Sequence, residues 1–193
     1  VGITHTVTVT GVALGGTDKD NYNLTAQPAI TDGVINAYAI TVTAQTDTRP
    51  YDGGVTSSVL PLVTSGTWQG ADTAILSQTF DTRNAGTSKT LTPEAAITDG
   101  NAGLNYDVTL EPDTTGVITA KDVTITGASA SKTYDAGVLG TAALNFTGAT
   151  IVGKVSGDSL TIDSASASGT YDNKNVGITH TVTVTGVALG GTD

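Results

Sequence analysis

The sequence predicts an all-β chain: tandem small antiparallel β-sandwich modules in an extended array. Three observations predict it: strict alternation of apolar and polar residues, turn dipeptides at short intervals, and an exact internal repeat. The alternation begins at the first residues. Gly2–Thr10 sets Ile3, His5, Val7 and Val9 on one face and four threonines on the other. Tyr38–Ala44 groups Tyr38, Ile40, Val42 and Ala44, and Leu104–Leu110 groups Leu104, Tyr106, Val108 and Leu110. A period of two is the mark of a strand with one buried face. Thr takes roughly a fifth of the chain, and a β-branched hydroxyl suits an exposed pleat without adding charge. No stretch gathers helix formers at 3.6 spacing, and Gly, Thr, Asp and Asn interrupt every run. Asp32-Gly33, Asp52-Gly53, Asp99-Gly100 and Gly157-Asp158 read as the turns between strands.

The repeat sets the organisation. Residues 1–18, VGITHTVTVTGVALGGTD, recur unchanged as residues 176–193, a period of 175 residues. Identity over that length marks a tandem array of near-identical units. A weaker repeat divides each period. Phe80–Gly86 matches Tyr171–Gly177, Asn105-Tyr106 matches Asn21-Tyr22, Arg49–Gly53 matches Lys132–Ala136, and Gly116–Ala120 matches Gly33–Ala37. The expected modules are therefore a complete first type at 47–126, the C-terminal part of a second type at 1–46, and its N-terminal part at 127–193. The alternative architecture is a β-solenoid. The unequal spacing of the Tyr-Asp motifs, 83 residues and then 92, does not suit a regular rung.

These motifs, in this order, resemble the YDG-type repeat domains, with the related MBG repeats, of filamentous-haemagglutinin-like and other giant bacterial surface adhesins. The matching positions are Tyr51 and Asp52 with Gly53, Tyr134 and Asp135, Asn21 with Tyr22, and Asn105 with Tyr106. The second motif departs from the pattern, because Ala136 stands where Gly53 stands in the first. That weakens the case for a left-handed turn there. The resemblance covers essentially the whole chain. It implies a secreted protein on the bacterial cell surface, whose repeats form a stalk supporting adhesion or biofilm, with no enzymatic activity.

Composition narrows the chemistry. The chain has no Cys, so disulfides, Cys-based zinc sites and thiol nucleophiles are out. Eighteen acidic residues against eight basic give a net charge of −10, which argues against nucleic acid and anionic membrane as partners. No apolar run approaches the ~20 residues of a membrane-spanning helix. His5 and His180 are one position in two copies and read as strand residues. Nothing resembles a nucleophile elbow, and Glu94 and Glu111 make no case for paired-carboxylate catalysis. No catalytic or cofactor-binding residue is expected.

Calcium is the one metal with a candidate pattern. Asp18, Asp20 and Asn21 lie in one Gly-rich loop, and Asp99, Asn101 and Asp107 in or beside its counterpart. Alternating oxygen donors in such loops suit calcium. Neither loop matches an EF-hand, and Asp, Asn and Gly are also ordinary turn residues. Trp68, between glycines, offers either a sugar-stacking platform or a packing residue, the second being favoured. The expected function is a structural spacer, with neighbouring repeats as partners, head-to-tail between chains where modules are incomplete. The alternative is a module binding a glycan or a host surface, which exact repetition disfavours.

Overall fold

The computed structural model describes residues 1–136 and 143–192, apart from the side chain of Ile3. Strands dominate it, and the only helical piece among the described residues is a 3-10 turn at Lys19–Asn21. Several small sheets form, with no closed barrel or solenoid among the described residues. None of its helices is long and apolar enough to cross a membrane. The contacts divide into two compact units. Unit one holds Val1–Asp47, Thr56–Asp81 and Thr90–Gly116; unit two holds Thr48–Val55, Thr82–Lys89 and the described residues from Val117 onward.

In unit one, β1 (Gly2–Thr8) pairs antiparallel with β2 (Ala29–Ile35). β3 (Tyr38–Thr43) is the centre of a three-stranded sheet. It runs antiparallel to β5 (Leu62–Ser65) and parallel to β8 (Tyr106–Glu111). β6 (Thr73–Phe80) and β7 (Gly86–Thr98) form a long antiparallel hairpin. On its other edge β7 has β9 (Asp113–Thr119), whose last residues Val117, Ile118 and Thr119 belong to unit two and pair there in parallel with the short β4 (Thr48–Pro50). The two parallel pairs depart from a purely antiparallel sandwich. Each joins segments more than sixty residues apart, the long crossover a parallel neighbour requires.

Alternation is read out directly in β3. Ile40 and Val42 are fully buried, with Tyr106 beside them, and Val63, Trp68, Leu76, Ala95, Ile97 and Val108 pack around this nucleus. Leu76, Ala95 and Ile97 come from the β6–β7 hairpin, so two layers close on one small core. Each buried aliphatic side chain contributes about 1.5–3 kcal/mol. Tyr38, Leu104 and Leu110, which share those faces in sequence, stay exposed at the strand ends. Residues 38–43, counted by the periodicity with module 1–46, thus supply the central strand of the sheet that residues 62–111 complete.

In unit two, besides the parallel pair of β4 with the end of β9, the pairs are short antiparallel ladders. β10 (Thr124–Thr126) pairs with β13 (Thr150–Val152), and β11 (Ser129–Ser131) with β12 (Ala143–Asn145). β14 (Leu160–Asp163) pairs with β17 (Ala188–Gly191), and β15 (Ser168–Tyr171) with β16 (Val182–Thr185). The last four make one hairpin interrupted on both arms. Asp163 caps the bend at 164–167 by accepting from the Ala165 amide at 3.0 Å, and Gly186 turns the facing arm at φ +75°.

One expected turn is a strand. Asp32-Gly33 lies inside β2, opposite His5 at a register irregularity. A Cβ on Gly33 would come 2.8 Å from Val7 Cγ2 and 3.0 Å from the His5 carbonyl. The glycine answers close backbone approach rather than chain reversal.

A buried amide links strand and loop in unit one. Gln78, 1% exposed, accepts from the Gln45 amide at 2.9 Å and donates to the Gln45 carbonyl at 2.7 Å and to Ser57 Oγ at 3.1 Å. Its side chain stands in for a strand neighbour. Gln78→Leu keeps the volume but strands both Gln45 backbone groups, so unit one should lose about 2–3 kcal/mol in urea unfolding. A loss below ~0.5 kcal/mol would show that water satisfies those groups.

Candidate functional site

The Tyr-Asp-Gly motif sits where β4 ends. The parallel ladder with β9 continues one step beyond the strand, the Tyr51 amide donating to the Thr119 carbonyl at 2.8 Å. This aims the Tyr51 ring at Asp158. Asp52 then closes the turn: its Oδ1 accepts from the Gly54 amide at 2.8 Å and pairs with the Arg49 guanidinium. Arg49, then the Gly54 amide, hold the Asp52 carboxyl below the usual carboxylate range. Gly53 completes the turn at φ +86°, and a Cβ there would lie 2.9 Å from Val155 Cγ1. Left-handed backbone and close packing both ask for glycine.

Asp158 is the hub of this cluster. Its side chain is 4% exposed. Oδ1 accepts from the Tyr51 hydroxyl at 3.0 Å and from Arg83 Nη1 at 3.0 Å. Lys154 Nζ donates to the Asp158 carbonyl at 3.0 Å. A carboxylate this buried is stable only when charge and hydrogen bonds compensate its desolvation. The cluster therefore works as a clamp: removing Tyr51 or Arg83 leaves a buried charge undercompensated. Sequence reading finds Tyr51, Asp52 and Gly53 by their repetition. It misses Asp158 and Arg83, whose only signals are an ordinary Gly-Asp turn and one of two arginines.

The second motif keeps the turn but not the clamp. Lys132 pairs with Asp135 at 3.0 Å, as Arg49 does with Asp52. Ala136 takes φ +60°, so the left-handed turn persists without glycine. Tyr134 is exposed and borders an open cleft of about 610 Å³ lined also by Lys132, Tyr171, Asn173 and His180. Inside it, His180 Nδ1 meets Asp172 Oδ1 at 2.7 Å, which lowers the Asp172 pKa, and the His180 ring stands edge-on to Tyr171.

The calcium candidates separate. Asp99 turns into its own loop: Oδ1 accepts from the Asn101 and Gly103 amides at 2.8 Å each, and Oδ2 from the Asn105 amide at 3.1 Å. Asn101 Nδ2 donates to Asn105 Oδ1 at 2.9 Å. Asp107 lies exposed on β8, and Asp18, Asp20 and Asn21 are exposed at the 3-10 turn. No group of three or more His, Cys, Asp or Glu side chains that could hold a metal occurs among the described residues. Trp68 is half-buried, edge-on to Tyr106 with centroids 5.2 Å apart. The Tyr106 hydroxyl donates to Asp72 at 2.8 Å and accepts from the Gln69 amide at 2.7 Å. Burial first, then the bond to Asp72, raises its pKa. Tyr22, its counterpart, is 73% exposed.

Two predictions follow from the turns and the clamp. Tyr51→Phe should cost about 1.5–3 kcal/mol, the worth of a hydrogen bond to a buried charge. Ala136→Gly should instead stabilise by about 1 kcal/mol, by relieving left-handed strain. Equilibrium unfolding of each variant decides its own prediction: no loss on Tyr51→Phe would remove the clamp assignment, and a loss on Ala136→Gly would contradict left-handed strain at that turn. For Asp99, the folded pKa is depressed, chiefly by the Gly103 amide. Its contribution is present above the unfolded-state pKa and is lost as pH falls through the lower folded value. The amides of Asn101, Gly103 and Asn105 should therefore stay protected through the ordinary Asp titration and open only below it. Hydrogen exchange against pH reads this, and opening at ordinary carboxylate pH would contradict it.

Comparison with known proteins adds one finding. A YDG domain model matches the chain twice, at residues 36–116 and 119–193. Neither a curated protein nor a solved structure matches it.

Proposed function

The chain belongs to the YDG domain family, and from that premise we propose that it is a structural spacer in the stalk of a large extracellular bacterial adhesin, supporting attachment at the cell surface or in a biofilm. One observation carries the reading. Tyr51 and Arg83 belong to the first family match and Asp158 to the second, so the first of the two Tyr-Asp motifs ties one matched repeat to the next. A signature residue spent on joining repeats is the economy of an array. The unchanged 18-residue repeat supports the same view, because a stalk needs equivalent links and a receptor site does not. Few charges and no Cys or Met suit a fibre exposed to oxidants. Trp68 and Tyr106, the aromatic pair most suited to stacking on a sugar, are engaged with each other, which weighs against a glycan-binding module.

The test is scaling. Chains of two, four and eight consecutive 175-residue periods should lengthen by a constant increment per period in small-angle scattering. Growth of the radius of gyration near the ~0.38 power expected of compact globules would reject the spacer reading.

A further inference from the structure

The net charge of the chain is not shared between its two units. Unit one holds eleven acidic residues and one basic residue, Lys19. The described part of unit two holds six acidic and seven basic residues. The imbalance owes nothing to the repeated segment. Residues 36–47, 56–81 and 90–116 alone, which carry the buried Ile40, Val42 and Tyr106, hold eight acidic residues and no basic one. The ion pairs Arg49–Asp52, Arg83–Asp158 and Lys132–Asp135 all lie in unit two.

We propose that unit one is the half of the chain whose opening is set by ionic strength. Like charges spread through its fold load it with self-repulsion, so it opens more often as salt is lowered, whereas unit two does not respond. In the stalk this makes unit one the element whose closure the surrounding salt controls, a role that rests on the spacer reading. The agent is the screening atmosphere of mobile ions, and no discrete site is involved.

How the carboxylates of unit one are held supports this. Asp47 accepts from the Ser57 hydroxyl at 2.7 Å, Asp72 from the Tyr106 hydroxyl at 2.8 Å and Glu111 from the Thr43 hydroxyl at 2.9 Å. Asp113 accepts from the Thr115 amide and hydroxyl at 2.7 Å each, and Asp99 from its loop amides. A neutral donor fixes a carboxylate in place without cancelling its charge. Glu94 on β7 and Asp107 on β8 are exposed on their strands. Among the described residues no three such groups could together hold a metal ion, so the charge is spread rather than gathered. Range decides what spread charge can do. A unit of a hundred residues has a radius of gyration of about 13 Å, which puts its charges within about 30 Å of one another. The Debye length is about 30 Å at 0.01 M salt and about 8 Å at 0.15 M. At low salt every carboxylate of unit one therefore repels every other, and at the higher salt only near neighbours do. Unfolding moves the charges apart, so the repulsion weighs on the compact state. It weighs heavily on a fold whose buried nucleus is as small as Ile40, Val42 and Tyr106. In unit two the opposite charges nearly cancel, and the same change of salt has little to act on.

Hydrogen exchange on the full chain at fixed pH tests this, with intrinsic rates taken from unfolded peptides at the same salt. On going from about 150 mM to about 10 mM sodium chloride, opening at the β3 amides should become about tenfold more frequent. The amides of β15 and β16 should change by less than about twofold. Sodium sulfate at equal ionic strength should act as the chloride does, because screening depends on ionic strength rather than on which anion supplies it. Asp107→Asn with Glu94→Gln removes two exposed charges and keeps the side-chain shapes. This variant should lose between about a third and a half of the β3 response, in proportion to the repelling pairs removed. The salt comparison on the unaltered chain keeps the test decisive should the variant misfold. β3 amides indifferent to salt, β15 and β16 opening in step with them, a sulfate response far from that of chloride, or a full response in the neutralised variant would each overturn the proposal. None of these outcomes bears on how the length of an array scales with copy number, so the spacer reading stands or falls separately.

Discussion

Edge pairing of backbone strands is the constraint on which everything else in this chain depends. The apolar side chains are too few and too small to enclose a deep interior, and the buried set centres on Ile40, Val42, Phe80, Leu91, Tyr106 and Ile118. With so little hydrophobic burial available, each ladder must find a partner, and loops must satisfy their own amides. The buried polar contacts follow the same rule. Gln78 substitutes for a strand along Gln45, and Ser57 and Asp47 close the same corner through a 2.7 Å hydrogen bond.

Acidic residues serve the same end by holding loop amides. Asp99, Asp113 and Asp163 each accept backbone amides from the turns they open. Their charge is spent on fixing loop geometry, which explains how a chain with net charge −10 carries so few gathered carboxylates. Asp158 serves another purpose, since its buried charge is shared between a phenol and a guanidinium.

Legibility in the sequence followed the range of the interaction. β3 was readable because its alternation is local and one face is buried almost completely. The Tyr-Asp-Gly turns were readable because they recur. Asp32-Gly33 misled, since a glycine required by close strand packing has the same dipeptide signature as one required by a turn. Ala136 misled in the opposite sense: without glycine the turn still took the left-handed conformation. Asp158 and Gln78 were unreadable, because Tyr51 and Arg83, which hold the one, and Gln45, which holds the other, lie more than thirty residues away in sequence. Periodicity also measures a repeat without choosing its phase. Any cut through a tandem array preserves the 175-residue period, and only the pairing of β3 with β5 and β8 shows which strands close together.

The parallel pairing of β3 with β8 has a kinetic side. Tyr38 meets Tyr106 only after the whole intervening chain is available, and loop closure over that span precedes any reward from the contact. The β6–β7 hairpin faces no such delay and can form on the ~1–10 μs scale of local hairpins. A chain emerging from its N-terminus therefore carries β3 as an unpaired, strongly apolar strand until the hairpin and β8 arrive. In a tandem array many such strands wait in series with near-identical neighbours. The order of emergence, more than the final energy, then decides whether each β3 meets its own β8 or that of the next repeat.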